Sequence, residues 1–139
     1  MPLKLVVDTS IFVSMLLSKR AEAWKIFELK HEYHTLDLTF IEIKRHFLMI
    51  WMRSRLTRQE FAETLLTIPT MVKIFPLNEI PNATLREAHD IIGLRDPGDT
   101  PFVALVLHIN ASGIVSYNKD FQVIERRGYK HYKPRELLQ

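Results

Sequence analysis

The fold is constrained most by short apolar runs that are too brief for helices and lead directly into helix-starting residues. Leu3 to Val7 is the first, followed by Asp8, Thr9 and Ser10 and then the apolar stretch Ile11 to Leu17. A run with so little polar alternation predicts a strand buried on both faces, as in parallel sheets, while Asp, Thr and Ser favour helix starts. The opening is therefore strand, turn, helix. The spacing next predicts a helix over Ala21 to Lys30, with Ala23, Trp24 and Phe27 on one side, and a strand over His34 to Leu38. Thr39 with Glu42 has the form of a capping box opening a helix to Met52, and Thr57 with Glu60 opens another to Ile68, ended by Pro69. A strand over Met71 to Phe75 and a helix over Asn78 to Ile92, bounded by Gly93, come next. Beyond the loop Leu94 to Gly98 lie a helix from Thr100 to Ile109, a strand over Gly113 to Ser116, a short helix from near Asn118 and a last strand around Tyr129 to Tyr132. Strands separated by helices predict a mostly parallel sheet covered on both faces.

A chain of 139 residues with no composition break or internal repeat is expected to form a single domain over residues 1–139. The absence of cysteine removes disulfides, thiolate zinc sites and a cysteine nucleophile, and is compatible with the cytoplasm, where the chain is expected to reside. Met1 to Leu17 makes a poor signal peptide, since Asp8 breaks its apolar run. The uncharged stretch Thr100 to Asn118 contains Pro101, His108, Asn110, Ser112, Gly113 and Ser116, so it reads as a buried helix and strand, and no membrane partner is expected. A net charge of +3 favours polyanions only mildly.

Ligands of open parallel sheets bind beyond the carboxyl ends of the strands, where helix N-termini point. Asp8 follows the first strand, Glu42 lies just after the second, Asn118 and Asp120 follow the strand ending at Ser116, and Asp96 and Asp99 precede the helix that feeds it. Helix capping accounts for each of these positions taken singly. It accounts less well for their convergence, because like charges at one rim repel unless cations neutralise them. Mg²⁺ or Mn²⁺ prefers such oxygen ligands and can be shared with a phosphate, so phosphodiester hydrolysis is the expected chemistry.

These residues resemble the PIN-domain family, especially its toxin-like prokaryotic members of the VapC type. The resemblance rests on Val-Val-Asp-Thr-Ser at 6 to 10, Glu42, Asp-Pro-Gly-Asp-Thr-Pro-Phe-Val-Ala-Leu at 96 to 105 and Ile-Val-Ser-Tyr-Asn-Lys-Asp-Phe at 114 to 121. It implies a three-layer α/β/α sandwich with a central, mostly parallel sheet of four to five strands, and Mg²⁺- or Mn²⁺-dependent cleavage of RNA. It also implies frequent homodimerisation and, in the toxin branch, inhibition by a small antitoxin protein. By position, Asp8, Glu42 and Asp99 correspond to the central metal-binding acids, Asn118 and Asp120 occupy the fourth acidic motif, and Asp96 is an auxiliary ligand. Asn118 departs from the Asp of many relatives and offers a weaker, neutral oxygen. Thr9 and Ser116 are candidate hydroxyl supports, with capping or strand pairing as the alternative for each.

Basic residues gather at Lys44, Arg45, Arg53, Arg55 and Arg58 and again at Arg126, Arg127, Lys130, Lys133 and Arg135, as RNA-contacting or simply solvated faces. Phe47 to Met52 is apolar throughout, more than one face of an amphipathic helix needs, so either a partner or a second core contact covers part of it. The scattered histidines do not suggest a zinc site. Two other functions compete. A phosphotransfer domain could use Asp8 as nucleophile, but a haloacid-dehalogenase-like site wants Asp where Ser10 stands, and a receiver-like site wants it where Pro76 and Leu77 stand. A catalytically silent PIN-like module binding RNA or protein is the other reading, motivated by Asn118.

Overall fold

The computed structural model describes residues 2–139. Five strands, β1 (Lys4–Val7), β2 (Glu32–Leu36), β3 (Lys73–Phe75), β4 (Gly113–Val115) and β5 (Lys130–Tyr132), form one sheet in the order β3-β2-β1-β4-β5. Every neighbouring pair is parallel. On one face lie α1 (Thr9–Leu17), α2 (Ala23–Ile26), α3 (Leu38–Arg45), α4 (Phe47–Arg53), α5 (Arg58–Met71) and α8 (Pro134–Leu137); on the other lie α6 (Asn82–Ala88), α7 (Thr100–Ile109) and the 3₁₀ segment Lys119–Arg127. The architecture is the expected α/β/α sandwich, with the sheet parallel throughout.

The apolar central strands feed both cores. Leu5 and Val7 of β1 and Val115 of β4 pack with α1, while Val6 and Ile114 pack with α7. The connections run outward from β1 to β2 and β3 on one side and to β4 and β5 on the other. The sheet therefore has its switch point between β1 and β4, and a crevice opens beyond their carboxyl ends.

Several expected helices differ in extent. The segment Ala21 to Lys30 is helical only over α2, after which the Ile26 carbonyl accepts from the Leu29 amide in a tight turn and from the Tyr33 hydroxyl. The helix expected over Thr39 to Met52 breaks at His46, which separates α3 from α4. The Thr39–Glu42 capping box does not form: Asp37 precedes α3, while Thr39 is buried among other hydroxyls and Glu42 accepts from Thr9. The Thr57–Glu60 box does form, with reciprocal bonds of 3.1 and 2.8 Å. Pro69 lies inside α5, which continues to Met71. Between Asn78 and Ile92 a 3₁₀ turn, Leu77–Glu79, comes first, and Pro81 then opens α6, which widens into a π-type turn over His89–Gly93. No helix among the described residues is long and apolar enough to cross a membrane.

Candidate metal centre

Asp8 stands where β1 ends and α1 begins, yet its side chain makes no capping bond. Its Oδ1 accepts from Ser10 Oγ at 2.6 Å. Only 6% exposed, the carboxyl is pushed up to about 6, chiefly by burial and further by the charge of Glu42, against the lowering effect of the Ser10 and Ser116 hydroxyls. Ser10 Oγ also accepts from the Tyr117 amide at 3.2 Å and lies 3.4 Å from Ser116 Oγ. Ser116 sits just past β4 and is fully buried; its hydroxyl accepts from the Asn118 amide at 2.9 Å. Its carbonyl lies 3.1 Å from Nε2 of buried His131, whose pKa is lowered by burial. The neutral ring bonds that carbonyl as the Nε2–H tautomer.

Glu42 projects from α3 and is tied to α1 by Thr9 Oγ1, which donates to Oε1 at 2.6 Å. Behind Thr9, hydroxyl contacts run to Thr39 at 3.2 Å and on to Thr35 at 3.0 Å, and Thr35 donates to the Val7 carbonyl at 2.7 Å. The acid from β2's side of the crevice is thus linked to the backbone of β1.

Asp99 precedes α7 and likewise leaves its helix uncapped, accepting instead from Asn118 Nδ2 at 2.7 Å. At 9% exposure, its carboxyl is pushed up to about 7 by burial and then by the charges of Asp96, Asp8 and Asp120, although the Asn118 bond works the other way. Asn118 also accepts the Asp120 amide at 3.0 Å, so one amide side chain holds both neighbouring acids in place. Asp96 accepts from Gly98 N at 2.9 Å at the start of the 3₁₀ turn Pro97–Asp99. In so tight a turn, positions three apart share a face, which brings Asp96 beside Asp99.

Asp96, Asp99 and Asp120 each offer a carboxylate oxygen within 4.8 Å of the others. Asp8 is near enough for its charge to raise Asp99, and Glu42 near enough to raise Asp8. The tightest grouping therefore includes Asp96, expected only as an auxiliary, and includes neither Asp8 nor Glu42. Oxygen-only donors crowded in this way fit Mg²⁺ or Mn²⁺. The hydroxyl of Thr100, next to Asp99, is buried with no hydrogen-bond partner among the described residues. Arg95 Nη1 lies 3.9 Å from Asp120 and places one cation at the edge of the acids.

Ser10, Thr35, Thr39, Arg95 and His131 escaped the sequence reading as parts of the site. Ser10 had a local signal, a hydroxyl two residues after an acid at a strand end. Thr35 and His131 reach the site only through chain pairing over long separations, whereas Thr39 and Arg95 are near Glu42 and Asp96 in the chain but take partners far along it in Thr9 and Asp120.

The structure is similar to that of VapC20 from Mycobacterium tuberculosis, described as a sarcin-ricin loop cleaving toxin, with a TM-score of 0.57 and 14% identity over 94% of this chain and 99% of that one. A comparison with curated proteins finds no match. The family model for the PIN domain matches residues 6–125, from the end of β1, just before Asp8, past Asp120, and the chain belongs to the PIN-domain family.

Proposed function

We propose that this protein is a divalent-cation-dependent endoribonuclease of the toxin type, acting at the crevice between β1 and β4. The observation that carries the reading is the convergence of Asp96, Asp99 and Asp120, with the buried Asp8 close enough for its charge to act on Asp99, at the switch point of a PIN domain. Asp8, Asp96, Asp99 and Asp120 would hold Mg²⁺ or Mn²⁺, with Glu42 alongside. Bound there, the cation supplies Lewis acidity toward phosphate oxygens and neutralises the crowded carboxylates. Ser10 keeps Asp8 aimed at the crevice, Thr9 does the same for Glu42, and Asn118 orients Asp99.

Cleavage of single-stranded and hairpin RNA by the purified protein should require Mg²⁺ or Mn²⁺, cease in EDTA, and fall at least a hundredfold in Asp8→Asn and in Asp99→Asn with the circular dichroism spectrum retained. Full activity in both variants rejects this site. Asn118 favours a second reading, a silent PIN-like module binding RNA or protein, because its amide is engaged at both ends within the protein. RNA binding by the wild type without cleavage in either cation would select that reading.

A protein partner is proposed for α4. Leu48 and Met52 are 68% and 75% exposed, with Phe47 and Met49 also open, whereas Ile50 is buried. A second copy of the chain is the partner proposed first; a small antitoxin would meet the same apolar face, flanked by Arg45 and Arg53.

A further inference from the structure

A cavity of about 450 Å³ opens beside the acidic crevice, lined by Glu22, Tyr117, Gln122, Lys133, Arg135 and Glu136. Tyr117 ties it to the site. This residue lies between Ser116 and Asn118, and its amide donates to the same Ser10 hydroxyl that donates to Asp8. The flanking backbone is held on both sides, by the His131 contact with the Ser116 carbonyl and by the bond from the Asn118 amide to Ser116 Oγ. The result is an aromatic side chain, 41% exposed, on a fixed backbone one hydroxyl away from a candidate metal-binding acid.

The cavity's chemistry differs from that of the crevice. The crevice gathers acids, whereas the cavity carries two cations, Lys133, just beyond β5, and Arg135 on α8, beside the carboxylates of Glu22 and Glu136. Arg135 is 3.4 Å from Glu22, but among the described residues the Lys133 ammonium has no ion-pair partner. Gln122 adds an amide that can both donate and accept at a base edge. An exposed aromatic ring beside a free cation and an amide is the combination that holds single-stranded RNA, through stacking, phosphate contact and edge recognition.

Building on the ribonuclease reading, we propose that this cavity is a nucleotide subsite for single-stranded RNA next to the cleaved bond. The base stacks on Tyr117, Gln122 meets its edge, and Lys133 takes the adjoining phosphate. The strand then crosses from the carboxylates past Asp8 to Tyr117.

The test measures fluorescence anisotropy of a labelled single-stranded RNA oligonucleotide that the wild type cleaves, with Ca²⁺ replacing Mg²⁺ or Mn²⁺ and strand integrity checked on a gel. Tyr117→Ala should weaken binding roughly tenfold or more, and Tyr117→Phe should stay close to wild type. Lys133→Ala should lower the slope of log affinity against log salt by about one. A single abasic position beside the cleavage point should weaken wild-type binding as much as Tyr117→Ala does, and should weaken Tyr117→Ala no further. Unchanged affinity in Tyr117→Ala, or equal losses in the Ala and Phe variants, overturns the subsite while cleavage by the wild type still stands. A wild type that neither binds nor cleaves RNA in Mg²⁺ or Mn²⁺ removes the ribonuclease reading, and the subsite with it.

Discussion

Asp8 and Asp99 are acids whose burial works against their own charge, and this has a thermodynamic signature. Their folded pKa values of about 6 and about 7 lie above the ordinary carboxyl value. Between about pH 4, where such groups ionise in the unfolded chain, and about pH 7, the folded protein therefore binds more protons than the unfolded one. Stability from these groups is greatest at the acid end of that window and is lost as pH rises through the folded values. Without added metal, the melting temperature should fall by several degrees between about pH 5 and about pH 8, with other groups held constant by comparison with Asp8→Asn and Asp99→Asn. Mn²⁺ should restore more of it at the upper pH, because it binds the ionised form; scanning fluorimetry across this range, with and without Mn²⁺, reads both effects. A wild-type pH slope matching that of the two variants contradicts the assignment. A different restraint acts on Glu42. Thr9 and Thr35 have spent their protons on Glu42 and the Val7 carbonyl, so the single Thr39 proton serves two contacts in turn. No spacing rule in the sequence reveals that chain of hydroxyls.

Among the elements, strands and caps were legible where the cause is local. The Thr57–Glu60 capping box formed because both partners lie within one turn and face solvent. The identical pattern at Thr39 and Glu42 did not, because α3 packs its start against β2 and α1, where Thr39 meets Thr35 and Thr9 and Glu42 accepts from Thr9. The burial of Ile43 and Ile50 does not account for the break at His46, since residues seven apart would share one face of an unbroken helix. Gly113 shows the reverse case, a residue required by its neighbour strand. A Cβ there would run into the Lys130 carbonyl in the β4–β5 pairing. Gly113→Ala should destabilise the fold by about 1–3 kcal/mol, through strain of the kind seen when a packed interior is overfilled. Urea unfolding followed by circular dichroism measures this, and a midpoint equal to that of the wild type would count against the tight β4–β5 approach.

For the whole molecule, the arrangement of crossovers matters more than any one element. Placing β1 at the centre, with β2 and β3 added on one side and β4 and β5 on the other, opens the crevice at Asp8 and leaves α4 on the outer surface. If a second copy covers α4, light scattering after size-exclusion chromatography should show a dimer at micromolar concentration, and Leu48→Glu with Met52→Glu should shift it to monomer without loss of folding. A monomer at every concentration removes the homodimer. The sequence by itself determined the alternation of strands and helices, the parallel sheet and the presence of Asp8, Asp99, Asn118 and Asp120 at one rim, because a strand's apolar run and the polar residue that ends it are local facts. Tertiary structure alone decided that Asp96 joins Asp99 and Asp120 most closely, that Glu42 is held through Thr9, and that Tyr117 borders a cavity of mixed charge carrying Lys133. Those relations depend on register between strands distant in the chain, and on which side of the sheet each connection crosses, neither of which a run of residues encodes by its own periodicity.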